Sequence, residues 1–292
     1  MLGLNAFVTS SAGVRMPRIL YGTAWKKDET ETLVRTALLQ GFRGIDTACQ
    51  PKHYHEPGVG AGVASFLNEN ASSGKLVRGD LYLQTKFTPL SGQDPARVPY
   101  EPKAPLAEQV RQSFEVSLRN LETDYLDCLV LHSPLPQARQ SLEVWRAMES
   151  LVEARGVRQL GISNCYRLEQ LEELYGSARF KPAVVQNRFY AQTGYDRGIR
   201  AFCREYGILY QSFWTLTANP QVLGHRTVRE LALRHGRTGA QILFRYLTQN
   251  DVVPLTGTRS EGHMREDLGI FEFELLESER EAMDAIFRLK SA

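Results

Sequence analysis

The sequence predicts an α/β fold in which eight parallel strands close into a (β/α)8 barrel, also called a TIM barrel. Eight short apolar runs alternate along the chain with amphipathic helical patterns. Near-continuous apolar strands that alternate with helices are typical of a parallel sheet covered by helices. Eight such units within 292 residues are the number that closes this barrel. We therefore expect residues 1–292 to form a single barrel domain.

The apolar runs end in polar or glycine-containing turns, as the strands of a barrel do. An open, doubly wound sheet is the main alternative, and its first turn should read G-x-G-x-x-G. The first turn here reads GTAWKKDE (22–29), which lacks that pattern and favours the barrel. In chain order, the predicted strands are 18–23, 42–47, 81–86, 126–132, 157–163, 183–187, 208–213 and 251–256.

The intervening segments show the spacing of helices that bury one face. The stretch 29–40 is an example, because its apolar residues recur three and four positions apart. A proline opens 105–121, which suits a first helical turn. Before the first strand, FVTSSAGVRMPRIL predicts a β-hairpin that turns at Ala12-Gly13 and covers the bottom of the barrel. The predicted helices are 29–40, 105–121, 141–154, 167–175, 199–206, 227–236 and 278–289.

Composition and charge argue against several classes of function. Thirty-five basic residues oppose 33 acidic ones without a run of one sign, so we expect no nucleic-acid or membrane partner. No apolar run approaches the roughly 20 residues of a spanning helix. The four cysteines form no C-x-x-C pair and no signal-peptide pattern opens the chain, which predicts reduced thiols and a cytoplasmic protein. We expect a monomer or a weak homo-oligomer.

Three titratable residues end three consecutive predicted strands. Asp46, Lys86 and His132 follow strands two, three and four, and catalytic groups of such barrels lie at these strand ends. Each residue alone has a structural interpretation: a turn-capping aspartate, a surface lysine, a hydrogen-bonded histidine. Neighbouring strands lie about 5 Å apart, so the three side chains can meet. Together they predict an acid–base site.

The residue types suggest how such a site would work. A lysine beside an aspartate stays protonated, and positive charge near a phenol would lower the phenol pKa from about 10. Tyr54, in the loop after strand two, is the candidate phenol. A phenol tuned in this way donates a proton to a carbonyl oxygen. His132 would orient the same oxygen.

Six short motifs make the chain resemble the aldo-keto reductases over nearly its full length. They are GFRGIDTA (41–48), Tyr54 with Glu56, VG (59–60), TK (85–86), LH (131–132) and GISN (161–164). The resemblance implies reduction of an aldehyde or ketone to an alcohol by hydride from NADPH, with NADH as a second possibility. It also implies that Tyr54 is the proton donor, that Asp46 and Lys86 tune it, and that His132 orients the carbonyl.

The same resemblance implies a binding surface for the cofactor and substrate. Ser163, Asn164 and Gln186 match groups that bind the nicotinamide carboxamide, and Phe213 matches the aromatic that stacks on the nicotinamide ring. The other residues implied in cofactor binding are Gly22, Thr23, Asp46, Leu216, Thr256, Gly257, Thr258, Arg259, His263 and Asp267. The expected substrate contacts are Trp25, Phe87 and Tyr100. Phe87 precedes a proline-rich loop (88–109), and Tyr100 lies within it. This loop either forms a wall of the substrate site or is a rigid loop on the surface.

Two departures from the family pattern concern these residues. Tyr54 follows Asp46 by eight positions where the family has five, so three extra residues, roughly 50–52, lengthen the loop. Leu255 occupies the position of a lysine that binds the adenosine phosphate in many members of the family. His263 and Asp267 lie near the positions of an arginine and an asparagine on the following helix of those members. Either Arg259 or Arg265 could still bind a 2′-phosphate of the cofactor.

Three alternatives stay open at this level. His53-x-His55, beside Cys49 and Glu56, suggests a metal-dependent hydrolase, although later strand ends offer no further ligands and we predict no metal. Lys86 could form a Schiff base in an aldolase, but Asp46 would keep it charged. A barrel that binds NADPH with little turnover, as a sensing or regulatory module, is the third.

Overall fold

Eight parallel strands form a closed barrel in the computed structural model, which describes residues 6–71 and 76–288. The last strand pairs with the first, and this confirms the predicted fold. No helix in the described part of the chain has both the length and the apolar character needed to cross a bilayer. The barrel strands are β3 (Leu20–Gly22), β4 (Gly44–Asp46), β5 (Tyr82–Phe87), β6 (Cys128–Leu131), β7 (Leu160–Ser163), β8 (Val184–Arg188), β9 (Leu209–Phe213) and β10 (Val252–Thr256).

A two-stranded hairpin precedes the barrel, as the sequence predicted. It consists of β1 (Phe7–Thr9) and β2 (Arg15–Pro17), paired antiparallel. Its turn contains Gly13 at φ +76°, a conformation that glycine adopts without steric cost. Met16 is fully buried and packs with residues at the N-terminal ends of several barrel strands. The hairpin therefore closes the bottom of the barrel.

Eleven α-helices are described, and the seven predicted helices did not include α2, α7, α9 and α10. The segment that forms α2 contains several glycines, which are uncommon inside helices. Two of them instead allow close helix packing: a Cβ on Gly60 would lie 2.2 Å from the Asn120 carbonyl oxygen, and one on Gly62 would lie 2.7 Å from that of Glu31. The helices are α1 (Thr30–Gln40), α2 (Glu56–Ala71), α3 (Leu106–Leu121), α4 (Ala138–Glu153), α5 (Leu168–Ser177), α6 (Arg197–Glu205), α7 (Pro220–Leu223), α8 (Arg226–His235), α9 (Gly239–Gln249), α10 (Glu261–Leu268) and α11 (Glu277–Arg288).

A buried layer of glutamines crosses the barrel interior below the strand ends. The side-chain amides of Gln84 and Gln186 both donate to the side-chain oxygen of Gln211, each at 2.8 Å. The same two amide groups donate to Asp46 at 2.7 and 2.9 Å. Buried polar groups satisfied in this way specify one arrangement of the surrounding side chains. This glutamine layer forms the floor of the site, directly below the residues at the strand ends.

Candidate active site

The centre of the strand-end cluster is an ion pair between Asp46 and Lys86. The Lys86 Nζ lies 2.8 and 2.7 Å from the two Asp46 carboxylate oxygens and 2.7 Å from the Thr47 carbonyl oxygen. Both side chains are almost wholly buried. A buried ion pair is tolerated when further hydrogen bonds satisfy its charges, and the two glutamine amides on Asp46 supply them. The ammonium group is thus held rigidly beneath the barrel mouth.

The lengthened loop still brings Tyr54 to this pair. Backbone N–H groups of His53 and Tyr54 both donate to the Gln50 carbonyl, at 3.1 and 3.0 Å, so the extra residues close into a turn. The Tyr54 ring centroid then lies 5.2 Å from the Lys86 Nζ. It lies 6.0 Å from the His132 ring centroid, edge to face. Four residues from three strand ends and one loop are therefore neighbours.

The Tyr54 phenol differs from the sequence expectation in its acidity. Burial raises its pKa above the ordinary value of 10, and the negative charge of Asp46 raises it further. The predicted lowering of the Tyr54 pKa is wrong for this structure, because burial of the ring is the largest influence and the Lys86 charge is paired with Asp46. A phenol with a raised pKa keeps its proton at neutral pH, as a proton donor must.

His132 is neutral for similar reasons. Burial lowers its pKa well below 6.5, and the positive charges of Lys86 and His53 act in the same direction. Its Nδ1 lies 2.7 Å from the Thr88 Oγ1. With Thr88 as the donor in that hydrogen bond, the single ring proton is on Nε2. His132 can then donate to an oxygen atom without being charged.

A cavity of about 740 Å³ opens above these residues. Its volume is within the range of small-molecule and cofactor sites, which is about 300–1,000 Å³. Aromatic faces and several threonine hydroxyl groups contribute to its lining. Of the predicted site residues, those that line it are Gly22, Trp25, Asp46, Tyr54, His132, Ser163, Asn164, Gln186, Phe213, Leu216, Thr256, Gly257, Thr258, His263 and Asp267.

The remaining predicted residues lie outside this lining. Thr23 is fully buried and donates to the Asp46 carbonyl at 2.9 Å, and Lys86 lies beneath the floor. The structure corrects the two substrate contacts expected on or after β5. Phe87 points away from the barrel axis, because its neighbour Lys86 points inward and strand side chains alternate. It packs on Tyr100, whose hydroxyl donates to the Thr88 carbonyl at 2.8 Å.

Several lining residues were not predicted. His53 stacks on Trp25 at 3.9 Å between centroids, and the Arg188 guanidinium lies 4.2 Å from the Trp214 centroid. Strand alternation was a usable signal for Arg188, since it follows the inward-facing Gln186 by two positions. The turn that brings His53 to Trp25 had no comparable signal. The missed residues include Gln50, His53, Arg188, Trp214, Thr217 and Glu266.

The other polar residues near Tyr54 serve the scaffold. The Glu56 carboxylate is buried and accepts from Thr85, Ser117 and Asn120. Burial raises the pKa of the Cys49 thiol well above its usual range. Within residues 6–71 and 76–288, no three histidine, cysteine or acidic side chains are grouped as a metal site would need.

The far end of the cavity lies at the loop between β10 and α10. Here the Thr256 hydroxyl donates to the Asp267 carboxyl at 2.7 Å, and burial raises the pKa of that carboxyl to about 7. Arg259 pairs with Glu29 and donates to the Trp25 carbonyl at 2.8 Å. Arg265 is turned away from the cavity and pairs with Glu261 at 2.7 Å. Neither candidate arginine lines the cavity, but Arg259 contacts Trp25 and follows Thr258, which both do.

Replacing Asp267 by asparagine is expected to stabilise the fold at pH 8 by about 1–3 kcal/mol. The raised pKa means that the folded protein keeps a proton that the unfolded chain releases between about pH 4 and pH 7, so wild-type stability falls as pH rises through that window. The amide can still accept from Thr256. Urea unfolding of both proteins at pH 4.5 and pH 8 tests this. The difference should be smaller at pH 4.5, and an equal difference at both values would contradict it.

The sequence matches the model of the aldo/keto reductase family over residues 13–288. The chain belongs to the aldo/keto reductase family. It is 29% identical to the uncharacterized oxidoreductase YtbE of Bacillus subtilis (strain 168) over 285 residues, which cover 97% of this chain and 93% of YtbE. It is 29% identical to the glyoxal reductase of the same organism over 276 residues, covering 94% and 90% of the two chains.

Solved aldo/keto reductase structures have the same architecture. The crystal structure of an aldo/keto reductase from Brucella melitensis matches with a TM-score of 0.80 at 26% identity, covering 96% of this chain and 98% of that one. Membership in the aldo/keto reductase family makes the chain an oxidoreductase of carbonyl compounds. Family membership does not determine whether the chain prefers NADPH or NADH, nor which carbonyl compound is its substrate.

Proposed function

We propose that this aldo/keto reductase reduces an aldehyde or ketone to an alcohol, with NADPH as the hydride donor and Tyr54 as the proton donor. The observation that carries the proposal is the Tyr54 ring, 5.2 Å from the Lys86 Nζ and 6.0 Å from the His132 ring, at one end of a cavity of about 740 Å³. The names of similar proteins, among them a glyoxal reductase, support the reaction class.

The residues around the cavity fit a nicotinamide dinucleotide. Phe213 offers an aromatic face, Ser163 and Asn164 offer polar side chains beside it, and Thr217 and Thr258 offer hydroxyl groups farther along. When bound, the dinucleotide would supply the hydride. Its long, partly aromatic and polyhydroxylated shape suits a lining that extends from β4 to α10.

The protein residues would act on the carbonyl oxygen. Tyr54 is neutral, and its hydroxyl gives a proton to that oxygen as negative charge develops there. His132, also neutral, donates a hydrogen bond from Nε2 and fixes the orientation of the carbonyl. The buried ammonium of Lys86 stabilises the phenolate that remains after the proton has left. No bond to Lys86 is required.

A direct assay tests the proposal. We expect NADPH absorbance to fall when the protein is mixed with members of a panel of aldehydes and ketones. Calorimetry on the same sample reports whether the dinucleotide binds. Tight NADPH binding without turnover of any carbonyl would support a cofactor-binding module instead, and the absence of both would remove the reductase proposal.

Arg259 is the residue we propose for the 2′-phosphate of NADPH. Its present partner Glu29 is more than half exposed, and exposed ion pairs contribute only about 0–1 kcal/mol, so a phosphate can replace it. We expect Arg259→Ala to reduce the preference for NADPH over NADH by about 5- to 30-fold, which is what the loss of charge-assisted hydrogen bonds predicts. Dissociation constants from calorimetry give this ratio. Arg265→Ala is the matched control and should leave the ratio unchanged; a fall in the control instead of in Arg259→Ala would contradict the assignment.

A further inference from the structure

Arg188 is the last residue of β8 and lines the same cavity as Tyr54 and His132. Gln186 and Arg188 both line the cavity, as residues two apart on a strand share one face. Arg188 therefore lies about 6–7 Å farther towards the mouth than Gln186. The Gln186 amide is itself 2.9 Å from the Asp46 carboxylate. The guanidinium group is thus one layer of side chains above the proposed catalytic pair.

This arginine has no anionic partner within residues 6–71 and 76–288. Its side chain forms none of the ion pairs or hydrogen bonds found there, and its Nε is buried without a partner. The guanidinium instead lies against two aromatic rings, 4.2 Å from the Trp214 centroid and 5.3 Å from that of Tyr190. Stacking leaves the N–H groups at the edge of the guanidinium plane free to bind a ligand.

The charges around Arg188 do not compensate it. Asp46 is neutralised by Lys86, and His132 is uncharged. The other carboxyl groups that line the cavity, Glu266 and Asp267, belong to α10 at the opposite end. The mouth of the barrel therefore carries an uncompensated positive charge in the cavity that Tyr54 and His132 also line. Such a site attracts and orients an anion.

We propose that Arg188 binds an anionic group, a carboxylate or a phosphate, carried by the carbonyl substrate. This inference rests on the proposed reductase function and narrows its substrate class to negatively charged aldehydes or ketones. The pyrophosphate of the cofactor is the other source of the same chemistry. Arg188 acts on binding and orientation, and the proton donor remains Tyr54.

Two aldehydes test the proposal: 4-formylbenzoate, which is negatively charged, and its methyl ester, which is neutral and larger by one methyl group. We expect the wild-type protein to have the higher kcat/KM for the carboxylate, mainly through a lower KM. In Arg188→Gln, the ratio of the two kcat/KM values should fall about 10- to 100-fold, the size of a lost charge-assisted pair. Arg188→Lys should recover part of the ratio. Arg35→Gln removes an exposed arginine that pairs with Glu69 on the outer helices, and it should keep the wild-type ratio.

Calorimetry makes the test independent of turnover. We expect 4-formylbenzoate to bind the NADP⁺-loaded protein more tightly than its ester does, and Arg188→Gln to abolish the difference. If Arg188→Gln binds NADPH more weakly but keeps the wild-type ratio of the two kcat/KM values, Arg188 binds the pyrophosphate of the cofactor. That result would overturn the proposal that it binds the substrate. Equal losses for both aldehydes would show that Arg188 only supports Trp214. Failure of the wild-type protein to reduce any carbonyl, with a charge-dependent aldehyde affinity, would overturn the reductase proposal but not the anion site.

Discussion

Tyr54→Phe is expected to lower kcat for carbonyl reduction by about 10²- to 10⁴-fold, the usual contribution of a positioned general acid. Phenylalanine keeps the ring that lies between Lys86 and His132, and it removes only the hydroxyl group. The dissociation constant of NADPH should therefore change by less than about threefold. Single-turnover kinetics with saturating NADPH separate the chemical step from binding.

A matched control exists in Tyr100→Phe. This variant also removes a buried tyrosine hydroxyl, but one that donates to the Thr88 carbonyl outside the cavity. It should retain most of the kcat and lose at most about 1 kcal/mol of unfolding free energy. Wild-type kcat in Tyr54→Phe would show that another group of the lengthened loop, with His53 the nearest candidate, is the acid.

Lys86→Met is expected to abolish reduction and to destabilise the protein by about 3–5 kcal/mol. The variant leaves the Asp46 carboxylate buried without its cation, and an uncompensated buried charge has about this cost. Asp46→Asn should have a similar effect, because it leaves the buried ammonium without its counterion, with only the asparagine oxygen and the Thr47 carbonyl as neutral acceptors. Urea unfolding and steady-state kinetics report the two effects separately.

The double variant Asp46→Asn with Lys86→Met distinguishes stability from catalysis. With no charge left to bury, most of the unfolding free energy should return, since buried ion pairs are often replaceable by uncharged side chains. The asparagine oxygen can still accept from Gln84 and Gln186. Activity should stay absent, because no ammonium stabilises the Tyr54 phenolate. Restored activity in the double variant would mean that the pair is part of the scaffold alone.

The barrel was predictable because its strands are short, apolar and regularly spaced, and because the hairpin turn contains a glycine. The helix α2 was not predictable, since the glycines at positions 60 and 62 look like loop residues. Their role depends on contacts with α3 and α1, which lie elsewhere in the sequence. Helix α9 was missed because its residues are buried on nearly all sides, which removes the one-faced pattern.

The candidate site was predictable where strand ends define it. Asp46, Lys86 and His132 follow directly from strand positions, whereas Tyr54 reaches them through a turn on the Gln50 carbonyl that spacing alone does not reveal. To predict the direction of the Tyr54 pKa shift, one would have to know that the ring is buried and that Lys86 is paired with Asp46. The pairing of Arg259 with Glu29 depends on rotamers of exposed side chains, and the sequence carries no pattern for those.

The hairpin beneath the barrel has a kinetic consequence. Met16 contacts the glutamine layer from below, its sulfur 3.3 Å from the Gln211 amide nitrogen, and the lower end of the barrel is filled. In the proposed reaction, cofactor and substrate would then both enter from the upper rim, where Trp25 and Trp214 line the cavity. Whichever molecule lies deeper has to arrive first and depart last. Because the base of the barrel is closed, the two molecules should bind and leave in a fixed order.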